Sequence, residues 1–150
     1  MQLQIFVPLV TYPEANADGI TANAVSIVAR LHAKLHAMAI NPDIPNVSNV
    51  LSRLLLDVAG LIENAKAESR QRGEHLLALL RQKAEEAKVE IATSTTTAPI
   101  AALGDAAAMR ARYFDMSLVG WEAASTTSRM VRTCVPSGMH SKVPPVSVSP

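Results

Sequence analysis

The ten residues Ala111-Arg-Tyr-Phe-Asp115-Met-Ser-Leu-Val-Gly120 decide the architecture. They begin in an alanine-rich segment, Ile100 to Arg112, in which Ile100, Leu103, Ala107 and Ala111 return at helical spacing. From Phe114 the period changes, and Phe114 to Gly120 reads as a short apolar strand closing on a glycine. Helix, turn and strand thus follow one another within a few residues, as in the second half of a βαβ unit.

The same alternation continues upstream. Val89-Glu-Ile-Ala-Thr-Ser-Thr95 is β-branched and alternating and reads as a strand, with Thr93 to Thr97 a polar lead to Pro99, a residue suited to the first turn of a helix. Before it, Val50 to Lys88 reads as a long helical region. Its first apolar face is Leu51, Leu54, Leu55, Val58, Leu61 and Ile62, its second is Leu76, Leu77, Leu80 and Ala84, and a bend is expected near Gly60 or Gly73. Asn41 to Asn49, with two prolines, reads as a loop, and Leu35 to Ile40 as a strand. Asp18 is the expected N-cap of a helix with Ile20, Ala24, Ile27, Val28 and Leu31 on one stripe. Leu3 to Leu9 is the first strand, carrying Pro8. Strands alternating with helices predict an α/β fold: a doubly wound, mostly parallel sheet of four to five strands with helices on both faces.

Downstream of Gly120 the pattern fades. Residues 1–122 are expected to form the α/β core. Residues 123–150 read as a degenerate closing helix and strand or a poorly ordered tail, with Ala123 to Val131 helical and Val143 to Val148 a last short strand weakened by its prolines.

Composition narrows the function. With 49% hydrophobic and 18% charged residues and a net charge of +1, the chain has neither the basic stripe of a nucleic-acid binder nor a disordered composition. No run approaches the ~20 apolar residues of a membrane helix, and the amino terminus lacks a basic segment and long apolar run. A cytoplasmic protein with neither membrane nor nucleic-acid partner is expected. A single cysteine, Cys134, excludes an internal disulfide. His32 and His36 stand at ligand-like spacing, but Ala33 and Lys34 follow where an acidic helper would be needed, so His32 reads as a solvated helix end and His36 as an edge or strand-end residue. Asp115, at a strand start, reads as structural, and no Ser-His-Asp order or carboxylate pair can be assembled. No catalytic residue and no metal site is expected.

Three stretches together resemble the universal stress protein family. Ile5-Phe-Val-Pro8 is similar to its first strand, where a Val-Pro step carries the chain into an Asp-Gly-Ser turn. Ala29-Arg-Leu-His-Ala-Lys-Leu-His-Ala-Met-Ala-Ile40 looks like its helix-to-strand junction, and Ala111 to Gly120 is similar to its Ala-x-x-x-Asp-Leu-Ile-Val-x-Gly strand. The resemblance spans roughly Gln2 to Glu122 and implies a doubly wound domain of the adenine-nucleotide alpha-hydrolase type, a homodimer, a stress-regulatory role and, in one branch, an ATP site. That branch carries Gly-x2-Gly-x9-Gly-Ser/Thr after the fourth strand. Here the four positions hold Gly120, Ala123, Thr133 and Cys134, and Val10 stands where the family's adenine-contacting Asp is expected.

In an open α/β sheet a ligand lies beyond the carboxyl ends of the strands where their order reverses. The candidate lining is therefore Pro8, Leu9, Val10 and Thr11 after the first strand, Ile40 after the second, and Val119, Gly120, Trp121 and Ala123 after the fourth. Trp121 could stack on a ligand ring or pack under a loop, and Ser125 to Ser128 with Arg129 could meet a phosphate or cap a helix. Two readings follow: a non-catalytic regulator that dimerises and binds an unidentified protein partner without ATP in the family's usual mode, or a nucleotide switch taking ATP or AMP in a modified pocket.

Overall fold

The computed structural model describes residues 2–45 and 58–120, and the backbone of 131–134. Helix residues expected at 50–57, the site positions Trp121 and Ala123, the hydroxyl run 125–128, and the strand expected at 143–148 lie outside the described residues.

The elements are β1 (Gln4–Val10), α1 (Gly19–Arg30), β2 (Lys34–Asp43), α2 (Val58–Glu86), β3 (Ile91–Pro99), a 3-10 turn (Ile100–Ala102), α3 (Leu103–Ala111), β4 (Met116–Gly120) and β5 (Val131–Cys134). They build one sheet in the order β3-β2-β1-β4-β5. The first four strands are parallel; β5 adds antiparallel to β4, Ser117 facing Cys134. The doubly wound α/β expectation holds. The fifth strand is formed by Val131–Cys134, so helix does not extend to Val131 as expected.

Both sheet faces are buried, which explains why β1 reads as a continuous apolar run and not as an alternation. Ile5, Val7 and Leu9 of β1 and Leu35, Ala37 and Ala39 of β2 point to the face covered by α1 (Ala24, Val25, Val28) and α2 (Leu76, Leu77, Leu80, Ala84). Phe6, Met38, Ile40 and Ala98 point to the other face, covered by Leu103, Ala106, Ala107, Ala111 and Phe114. With α1 and α2 on one side and α3 on the other, the three crossovers share one hand, as the single hand favoured for parallel βαβ units requires. Leu31 and Leu61, expected on apolar faces, are exposed instead.

Two strands outrun their sequence reading, and backbone parity explains one proline in each. Lys34 N–H donates to Leu3 O at 2.8 Å and Leu35 N–H to Glu90 O at 2.9 Å. Even-numbered β2 residues therefore turn their backbone to β1 and odd-numbered ones to β3. Pro42 faces β1, whose pairing ends at Val10–Ile40, so its missing N–H costs no ladder bond and β2 continues beyond the expected loop start at Asn41. β3 then runs with it to Pro99, so Thr93 to Thr97 is strand rather than polar lead.

α1 and α2 both end with a 6→1 bond closing over a left-handed residue. Ala33 N–H reaches Val28 O across His32 (φ 49), and Val89 N–H reaches Ala84 O across Lys88 (φ 56). His32 is thus the exposed end of α1, as expected, while His36 lies in β2 with its Nε2 at 2.5 Å from Gln4 Oε1 and its ring 4.8 Å from that of Phe114. Desolvation first, then the positive charges of Lys34 and Arg110, hold the His36 pKa below its ordinary 6.5, with Glu90 opposing. A depressed folded-state pKa means the unfolded chain takes up the proton first, so stability is full above pH 6.5 and declines as pH falls through the folded value. We expect the His36 ring protons to titrate below 6.5, and the acid-side loss of stability to shrink in His36→Gln; a midpoint at or above 6.5 contradicts the assignment.

Candidate functional site

The strand order reverses between β1 and β4, since β1 leads to β2 and β3 on one side and β4 lies on the other. The candidate crevice is the gap where these two strands part. Pro8 helps to part them. Odd-numbered β1 residues bond to β2, so Pro8 and Val10 face β4, and the β1–β4 register ends at Phe6–Ser117, just before the residue that lacks an N–H.

Beyond that point the chain satisfies its own groups. Val10 N–H, aimed toward the gap, donates to Asn16 Oδ1 at 2.7 Å, and Asn16 N–H donates to Val10 O at 3.0 Å. Asn16 therefore takes the ladder position that β4 vacates. Ile20, in the first turn of α1, fills the space over Gly120: a Cβ there would lie 2.0 Å from Ile20 Cδ1, 3.0 Å from its Cγ1 and 3.4 Å from Asn16 Nδ2. The approach of α1 thus accounts for glycine at the end of β4.

The loop between β1 and α1 is also strapped to α2. Arg72 donates to Pro13 O at 3.1 Å while pairing with Glu68, and His75 Nε2 lies 3.2 Å from Asp18 Oδ1. Asp18 is the N-cap residue of α1, as expected, yet its carboxylate meets His75 and makes no cap bond. Thr11 is fully buried. Its hydroxyl donates to Ile40 O at 2.8 Å, lies 2.6 Å from Ser69 Oγ and 3.3 Å from Asn41 Oδ1. This knot joins the carboxyl ends of β1 and β2 to α2, which approaches closely because Gly73 has no side chain: a Cβ there would be 3.2 Å from both Ala39 Cβ and Thr11 Cγ2.

Of the expected lining, Pro8 and Val10 face the β1–β4 gap, Gly120 lies at its far wall, and Val119 precedes it on the opposite sheet face. Leu9, fully buried against the helices, belongs to the core. Thr11 and Ile40 belong to the buried knot with Ser69, and Ile40 packs under α3. Asn16, Ile20, Ser69 and Arg72 were not foreseen. Asp115 clamps the amino end of the sheet, its Oδ2 accepting from Gln4 N–H at 2.8 Å and its N–H donating to Gln4 O at 3.1 Å, the structural role expected of it. Among the described residues no group of three His, Cys, Asp or Glu side chains stands within metal-binding reach, and no helix is long and apolar enough to cross a membrane.

The arrangement defines a doubly wound α/β domain whose switch-point crevice is occupied by its own loop. More particularly, the fold is that of the universal stress proteins. The chain is similar to universal stress protein UspA from Lactobacillus plantarum, with a TM-score of 0.51 and 19% identity over 85% of this chain and 83% of that one. It is also similar to a protein from the universal stress protein family from Burkholderia pseudomallei, with a TM-score of 0.47 and 15% identity over 77% and 80% of the two chains. No family model matches the sequence, and no curated protein does.

ATP, which the resemblance implies for one branch, meets a poor fit in these residues. The one retained glycine of the motif is packed by Ile20, and the Val10 N–H that faces the gap is already bonded to Asn16.

Proposed function

We propose that this chain is a non-catalytic regulatory protein of the universal stress type, acting through dimerisation and binding of a protein partner and not through ATP in the family's usual mode. The stress-response role rests on the shared fold, and a fold by itself hosts many functions. One observation carries the rest of the reading: Asn16 and Ile20 take the hydrogen-bonding position and the space at the β1–β4 gap that a nucleotide would need. A crevice filled in this way leaves the outer surface as the working part of the molecule, and cytoplasmic partners as what it meets.

Titration calorimetry with magnesium ATP and with AMP tests this. No saturable heat is expected from either, whereas saturable binding in the micromolar range overturns the proposal in favour of the nucleotide switch.

A further inference from the structure

α2 and α3 meet solvent in different ways. On α2 the outward charges neutralise one another within the helix: Glu63 pairs with Lys66, Glu68 with Arg72 and Lys83 with Glu86. α3 turns little charge outward. Gly104, Ala108 and Met109 lie on its exposed side, and two large apolar side chains, Met109 at 65% and Tyr113 at 79% exposure, stand one turn apart there. A surface helix is ordinarily polar on that side.

The charges this side does carry are Asp105, in the first turn, and Arg112, the C-cap residue. Arg110 is exposed too, but its guanidinium leans over the Phe114 ring, 5.8 Å from the centroid. Asp105 and Arg112 share one side of the helix, two turns and about 10 Å apart, too far to pair with each other. Neither side chain has a hydrogen-bond or ion-pair partner among the described residues. Gly104 is also unlike Gly73 and Gly120, because nothing lies within 4 Å of the place a Cβ would take. The packing of the fold does not ask for glycine there, and the space beside it is open.

The complement of this face is a helix with an acid opposite Arg112, a base opposite Asp105 and apolar surface between them. α3 run antiparallel is such a helix. About a two-fold axis midway between Ala108 and Met109, Asp105 faces Arg112 of the second copy, and Arg112 faces Asp105 of the second copy. Antiparallel pairing alone does not supply this, since like charges at the two positions would repel their own copy. The two Met109 side chains then meet on one side of the axis. The two Ala108 meet on the other, where together with Gly104 they let the helices approach closely. Tyr113 lies along the flank.

We propose that the outer face of α3 is a self-association surface, two copies packing helix against helix in antiparallel fashion with paired Asp105–Arg112 contacts. It goes beyond the dimerisation of the proposed function, uses no sheet edge, and joins molecules whether or not they are already paired elsewhere. Two turns of helix bury less than the ~1,200 Å² of a stable interface, so the contact is weak and exchanges rapidly.

The test follows the Met109 methyl resonance over a dilution series, a readout confined to this face. In the wild type it should shift with concentration up to about millimolar protein, the range of weak contacts. Asp105→Arg and Arg112→Asp each turn two attractive pairs into two repulsive ones and should weaken the self-contact at least about fivefold. An equimolar mixture of the two variants, like the double variant, has opposite charges facing again and should recover the wild-type shift. The Phe114 ring resonances, set by its stack on Phe6, report that α3 keeps its place in each protein. A Met109 signal that ignores concentration in the wild type overturns the proposal, as do single variants that behave as the wild type or a mixture that recovers nothing. Sedimentation reads dimerisation through any other surface separately, so failure here leaves the proposed function standing.

Discussion

Replacing Gly73 with valine should lower the stability of the chain by about 3 kcal/mol or more, while alanine at the same position should change it by less than about 1 kcal/mol. Two effects oppose each other in the alanine variant. Any side chain here relieves the helix of glycine's excess backbone freedom, worth about 1 kcal/mol at an interior position. Against that, the new Cβ would stand 3.2 Å from Ala39 Cβ and Thr11 Cγ2 and 3.3 Å from Asn41 Oδ1, so its neighbours must yield by a few tenths of an ångström. Valine adds two methyl groups to the same site. They have nowhere to go except into the carboxyl ends of β1 and β2, and α2 must lift off the sheet. With domain stabilities of roughly 5–15 kcal/mol, such a loss leaves a substantial unfolded fraction on mild heating. Urea denaturation of the three proteins checks the contrast. Valine tolerated as well as alanine would mean that α2 does not lie where Gly73 places it.

Thr11→Val should cost about 1–3 kcal/mol although the shapes match closely. The loss is electrostatic and not steric. Thr11 Oγ1, with no exposure to solvent, is the centre of a cluster comprising Ile40 O, Ser69 Oγ and Asn41 Oδ1. A methyl group in its place leaves the Ser69 hydroxyl, itself 1% exposed, facing carbon. A buried hydroxyl stripped of its partner loses the desolvation cost it had recovered on folding. Ser69→Ala should cost less than Thr11→Val, because Thr11 keeps Ile40 O. The double variant should be less destabilised than the sum of the two, since both act on one cluster. Strict additivity in denaturant unfolding would show that the two hydroxyls do not interact.

Much of this fold was legible because the information was local. The change of period inside Ala111–Gly120, the N-cap position of Asp18 and the stripe of Leu76, Leu77, Leu80 and Ala84 each depend on neighbours within two helical turns. Together they fix strand, helix and order, and hence where the switch point must fall. The strand ends were less legible because prolines suggest stops. Pro42 stops nothing, because the side it faces has no partner left, and that depends on where β1 ends, some thirty residues away.

The interior of the candidate site was not legible, for a related reason. Thr11 meets Ser69 across 58 positions and Arg72 meets Pro13 across 59, and neither pair leaves a periodic trace. One faint sign was present: Ser69 and Gly73, two small residues one turn apart in a charge-dense stretch, mark a face pressed against something. The reading of Gly120 was also incomplete. A glycine after a strand invites a phosphate-binding interpretation, but the same residue is equally demanded by a helix that crosses close above it, as Ile20 does.

The account depends most on the Val10–Asn16 pairing being closed in the free protein and staying closed in the presence of nucleotide. Amide-resolved NMR with hydrogen exchange reads it directly: the Val10 amide should be strongly protected without ligand, and the Val10, Asn16 and Gly120 resonances should not move on addition of saturating magnesium ATP. A Val10 amide that exchanges freely and becomes protected only when ATP is added, with Gly120 shifting alongside it, would show an open nucleotide site and contradict the account.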